Sequence, residues 1–206
     1  MKKEKPGDFL AQLGNELKSL GFRVGISGYD QVFIDEAKRS VARSMQAFRR
    51  KNFHLEAGAA ASAILCAAAS CEARLSEYLA HWEFASGELP KELAELRNMW
   101  DARRQWNKLL RYRAPTYDLG ASKEFRALGC LFLLRDHIAH RHARLMHLDT
   151  WPTKLEDCVR QGSIPVRSIQ DTDWTAGVFV YEVAAWAFET AKAWFIIADK
   201  LVPMVC

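Results

Sequence analysis

The sequence has no Cys-x-x-Cys pair, no His-Glu-x-x-His run and no Glu-x-x-His pair, so zinc ribbons, zincin-type proteases and di-iron bundles lack their usual ligands. The stretch Gly25-Ile26-Ser27-Gly28 lacks both a third Gly and a Lys-Ser or Lys-Thr, which leaves a turn rather than a phosphate cradle. No uncharged run is longer than Ala57 to Cys71, too short to cross a bilayer, so no membrane partner is expected. Lys2, Lys3 and Lys5 are followed by no apolar segment, which argues against a secretory signal. The five cysteines, Cys66, Cys71, Cys130, Cys158 and Cys206, mostly sit in apolar helical surroundings and read as free thiols in a reducing cytoplasm. Internal repeats are absent, and beyond one Ala-rich run there is no low-complexity segment.

What is present is a globular composition. Half of the 206 residues are apolar and seven are Trp, which excludes disorder for most of the chain. The length suits one core. Against 25 acidic residues stand 29 Lys and Arg, a net charge of +4 that permits an anionic ligand without requiring one.

Apolar residues recur at helical spacing almost throughout, which predicts an all-α chain: an N-terminal extension, 1–29, packed on a helical domain, 30–206. Phe9, Leu10, Leu13, Leu17 and Leu20 predict a short amphipathic helix in the extension. Asp30 is the expected N-cap of a helix to about Lys51, whose basic end, Arg43, Arg49, Arg50 and Lys51, suits the helix dipole. An Ala-rich helix follows from Phe53 to Ala85, with Glu72, Arg74 and Glu77 on what reads as a solvated face. A helix from Lys91 to Tyr112 would align Arg97, Arg104, Lys108 and Arg111 in one stripe interleaved with Trp100 and Trp106, a pattern that suits a nucleic-acid backbone or simply an exposed face. Ser122 and Glu124 start a helix expected to reach Leu148. A short helix from Lys154 to Gln161 and an irregular stretch, with Ile164-Pro165-Val166 briefly extended, precede a last helix from Trp174 to Val202, opened by Asp171, Thr172 and Asp173.

The helix from Ser122 to Leu148 carries the chemistry. Phe125, Leu128, Leu131, Phe132, Leu133 and Leu134 run into Arg135-Asp136-His137-Ile138-Ala139-His140, and charge at the end of an apolar rod is costly unless it is paired. Asp136 and His140 are four apart and share a face, whereas Arg135 and His140 diverge by about 140° around the axis. Arg135 must then reach round the helix or act in a cleft shared with a second copy. His140 titrates near neutrality, Arg135 offers a permanently charged fork to phosphate oxygens, and Asp136 could orient the His140 ring. Arg141 and Arg144 would hold flanking phosphates. The competing reading is an ion-pair column of Asp136, His140 and Arg144, with Arg135 paired to Glu72 or Glu77. His137, His140, His142 and His147 do not share a face, so no metal site is expected.

The run Arg135 to His140 resembles the Arg-polar-x-x-x-His signature of the HEPN superfamily, supported by the Ala-rich helix before it and the long apolar helix after. That resemblance implies a helical bundle acting as a metal-independent endoribonuclease without cofactor. Arg135 and His140 would be the essential pair, at a groove between two motif helices of a homodimer, and the product a 2′,3′-cyclic phosphate with a 5′-hydroxyl. It also implies a toxin–antitoxin or phage-defence setting, with an antitoxin or nucleotidyltransferase-type partner. His142 stands where some HEPN toxins carry a modified Tyr, a departure from that form of control. A HEPN-type module that binds nucleotide, RNA or protein without cutting is the alternative.

Overall fold

A computed structural model of the chain describes residues 28–99, 101–139, 151–168 and 173–202. The expected helix at Asp8 to Leu20, together with residues 140–150, lies outside them. Among the described residues there are α-helices, one 3-10 turn and no strand, so the all-α class stands and the brief extension at Ile164 to Val166 forms no sheet.

Helix α1, Tyr29–Arg49, and helix α2, Phe53–Ser86, form an antiparallel hairpin. Its register is fixed by polar ties: the Asp30 N–H donates to Glu77 (3.3 Å), the Ser40 hydroxyl to Ser62 (3.2 Å) and the Ser44 hydroxyl to the Glu56 carbonyl (3.2 Å). The connection is tight. Lys51 takes the left-handed conformation (φ 54°), and the Asn52 side chain accepts from the Leu55 N–H to start α2. Gly87, at φ 85°, ends α2 as a left-handed C-cap.

Asp30 is not the N-cap expected of it. It sits inside the first turn of α1, 3% exposed, and its carboxylate pairs with Arg74 of α2 at 2.6 Å. Nor are Glu72, Arg74 and Glu77 a solvated face: Arg74 also holds Asp199 of the last helix, and Tyr78 hydrogen-bonds the same carboxylate. These charges turn inward because α2 has neighbours on most of its circumference.

The segment from Lys91 to Tyr112 is not one helix. It folds as α3, Lys91–Ala94, a 3-10 turn, Glu95–Asn98, and α4, Ala102–Arg113. Asp101 stops continuity by capping α4, accepting from the Arg104 N–H at 3.1 Å. Helix α5, Lys123–Ala139, starts where Ser122 accepts from the Phe125 N–H, as the sequence indicates. Helix α6 is Thr153–Arg160. The last helix is likewise broken, into α7, Trp174–Val178, and α8, Tyr181–Leu201. Asp173 caps α7. Val180 is extended, and the freed N–H of Tyr181 donates to the buried carboxylate of Glu56 at 3.0 Å.

Helix α2 is the axis of the core, packed on α1, α8 and α5. Ala60, Ala63, Ala67 and Ala68 face a domain interior that includes Ala184, Ala187 and Ala191 of α8, and small side chains let such helices approach closely. Trp106 and Trp194 meet edge to face at 5.3 Å, and the Trp106 indole donates to the Cys71 carbonyl. By length and composition α2 could cross a membrane, since its full span exceeds the uncharged run.

Two glycines of the fold respond oppositely to a methyl group. Gly58, within α2, has nothing within 4 Å of a built Cβ, so Gly58→Ala is expected to gain about 0.8–1.0 kcal/mol from helix propensity. At Gly177 a Cβ would lie 2.5 Å from the Ser168 carbonyl oxygen, and Gly177→Ala is expected to lose about 1–3 kcal/mol by overpacking against backbone. Urea unfolding of the two variants should move the midpoint in opposite directions.

Candidate functional site

The apolar face of α5 is buried through Phe125, Leu128, Leu131, Phe132 and Leu134, which brings Arg135 onto α2. Its side chain is 24% exposed, and the guanidinium pairs with Glu72 through Nη2 and lies with Cζ 5.8 Å from the centre of the Phe132 ring. Nε is buried without a hydrogen bond, although the Asp136 carboxylate stands 3.2 Å away. Arg135 is thus held between two carboxylates. Burial raises the Glu72 carboxyl above its ordinary value, opposed by the charge of Arg135.

The same Asp136 also lines a cleft of about 470 Å³ between α4, α5 and α6. Three cations, Arg103, Arg126 and Lys154, and three carboxylates, Asp101, Asp136 and Asp157, line it. Gly129 makes room for Arg103, whose Nε would stand 2.8 Å from a Cβ there, and the same guanidinium lies over Phe125. Arg126 donates to the Gly120 carbonyl at 2.9 Å. Such a mixed lining offers cations to an anion and carboxylates to hydrogen-bond donors.

Cys130 and Cys158 share the cleft wall and are joined in a disulfide between α5 and α6. This corrects the expectation of free thiols, and the inference to a reducing cytoplasm loses that support. The packing of α5 on α6 brings their Cα atoms to 6.1 Å, within disulfide reach, where a sequence separation of 28 gives no hint. Cys66 and Cys71 are free thiols, and burial raises both above the ordinary range.

The expected basic stripe is dispersed. Arg97 pairs with Glu83, Lys108 with Glu95 and Arg104 with Asp101 at 3.3 Å, while Arg111 donates to Asn107. Of this segment it is Arg103, not Arg104 or Lys108, that reaches the cleft. His140, Arg141 and Arg144 lie outside the described residues, as do His142 and His147. Among the described residues no group of His, Cys, Asp and Glu is placed to hold a metal ion.

His137 is described, half-buried against Trp174 with ring centroids 6.2 Å apart. Burial lowers its proton affinity below the ordinary value of 6.5, partly offset by Asp136. A histidine lowered in the fold costs nothing while neutral and opposes folding once charged. Its contribution is therefore intact above pH 6.5 and is lost as pH falls through the lowered value. The thermal midpoint of the wild type should accordingly drop more steeply than that of His137→Gln below pH 6.5, and parallel curves would show that His137 is solvated. No family model, no curated protein and no solved structure matches this chain.

Proposed function

We propose that this chain is a HEPN-type domain and a metal-independent endoribonuclease, with Arg135 and His140 as its essential pair. The observation that supports the reading is the setting of Arg135: a half-buried guanidinium, held by Glu72 at the end of an apolar helix, one residue from a carboxylate that lines a cleft. In this reading RNA enters beside α5, with Arg103, Arg126 and Lys154 near its phosphates and the carboxylates of the cleft toward base or ribose donors. Attack of the 2′-hydroxyl on the adjacent phosphorus breaks the bond to the 5′-oxygen. His140 transfers the protons, the guanidinium of Arg135 meets the negative charge that gathers on the phosphorane, and Asp136 orients the imidazole. Two copies facing each other would let two His140 side chains divide the acid and base roles.

A second reading has its own observation. Glu72 and Asp136 already neutralise Arg135, as a purely structural cation would be neutralised, which favours a HEPN-type module that holds RNA, nucleotide or a partner protein without cutting. Incubation of RNA with purified protein in excess EDTA separates the two. Cleavage that disappears in Arg135→Ala and in His140→Ala supports the enzyme, and binding without cleavage supports the module.

A further inference from the structure

At the other end of α2, where the hairpin turns, lies a surface of one sign. Arg49, Arg50 and Lys51 follow one another, His54 comes one turn later, and all four are exposed with no ion pair among the described residues. The nearest carboxylates in sequence are already committed. Glu36 holds Arg39 and Arg43, and Glu56, 1% exposed, holds Arg167. Between α1 and the first turns of α2 runs a groove of about 590 Å³, its floor apolar with Ala47, Leu55 and Ala59, its polar wall Arg43, Arg50, Asn52, His54 and Ser62, and neither Asp nor Glu in its lining. Phe53, between Asn52 and His54 in sequence though not in the lining itself, is 65% exposed, a large aromatic left in water.

We propose that the hairpin turn and the groove beside it bind single-stranded nucleic acid, with Arg49, Arg50 and Lys51 meeting phosphates and a base stacked on the exposed ring of Phe53. Cations without carboxylates attract a polyanion, and an exposed ring beside them adds a sequence-tolerant stacking platform. A lipid surface fits less well, because Arg50 stands in the wall of a concave channel between two helices, with the polar side chains of Asn52 and Ser62 in the same lining. His54 is eighteen positions before Glu72 on α2, about 27 Å by helix rise, so this is a site separate from Arg135. It goes beyond the cleavage reading and does not need it.

The test is fluorescence anisotropy with a 20-nucleotide single-stranded DNA, which lacks the 2′-hydroxyl needed for cleavage, in EDTA over a salt series. The variants are Arg49→Gln/Arg50→Gln/Lys51→Gln, Phe53→Ala, and a control that neutralises Lys38, Lys192 and Lys200 elsewhere. Neutralising the turn should weaken binding at least tenfold and flatten the salt dependence by about 2 in log–log slope, at about 0.7 per lost phosphate contact. Phe53→Ala should weaken binding roughly 5- to 150-fold with the slope unchanged. The control should bind as the wild type does. Equal loss in the control, no binding by the wild type, or binding to phosphatidylserine vesicles in place of the oligonucleotide would each overturn the proposal. Since the probe cannot be cut, failure here leaves the Arg135 reading untouched, and failure of cleavage leaves this one untouched.

Discussion

Arg167→Ala is expected to lower the thermal midpoint by roughly 6–20 °C. The Glu56 side chain is 2% exposed and depends on two donors, the guanidinium of Arg167 at 2.5 Å and the N–H of Tyr181 at 3.0 Å. Removing the cation leaves a carboxylate buried with one neutral donor, and breaking a buried pair from one side costs about 3–5 kcal/mol. For a chain of this size each kcal/mol moves the midpoint by about 2–4 °C. Arg167 also bridges to Glu182 at 2.7 Å and covers Phe48 at 4.5 Å, so its loss removes side-chain ties to α1, α2 and α8 together. Arg167→Lys keeps the charge without the fork and should fall between wild type and Ala. Glu56→Gln removes the charge and keeps an acceptor for Tyr181, so it should cost less than Arg167→Ala. Circular-dichroism melts read all three, and a shift under 2 °C for Arg167→Ala would mean that water reaches Glu56.

The second large effect concerns cleavage. If His140 carries the proton transfers, His140→Ala should lower the rate by about 10²–10⁴, the usual worth of general acid–base catalysis. Arg135→Ala should cost about 10²–10³, as removal of a preorganised donor to a developing oxyanion does. Arg135→Lys should recover only part of this, because an ammonium cannot offer two parallel donors to a phosphate. Melting curves control for folding, since Arg135→Ala also leaves Glu72 without its partner. A stable Arg135→Ala that cleaves at the wild-type rate would remove the guanidinium from the chemistry and leave the Glu72 pair as its whole purpose.

Much of the fold is legible in the sequence because the helices advertise themselves locally. The Ala-rich run gives α2, and Ser122 and Asp173 mark helix starts by chemistry that acts within three residues. The breaks are hidden because their causes lie elsewhere in the chain. From Trp174 to Leu201 the apolar period runs on without a pause, and the interruption at Phe179 and Val180 is met by Glu56, 125 positions away. Asp101 caps α4, yet the charge stripe from Arg97 to Arg111 runs across it and hides the stop at Met99.

The candidate site is legible in the same partial way. Arg126, Cys130 and Leu133 share a face of α5 at steps of four and three, but nothing local marks that face as a cleft wall, and Cys130 reads from sequence as a free thiol. Arg103 and Lys154 come from other elements and carry no local signal. Glu72 as the partner of Arg135 is one of two carboxylates that the sequence offers, and only the crossing of α5 on α2 selects it over Glu77.

Cleavage of RNA by this chain's own side chains is the central proposal. The most direct measurement is single-turnover cleavage of an end-labelled RNA in excess EDTA, with the new termini identified. A 2′,3′-cyclic phosphate opposite a 5′-hydroxyl, formed by wild type and not by His140→Ala, is the predicted result. Intact RNA at high enzyme, or cleavage that returns only when a divalent metal is added, would contradict it.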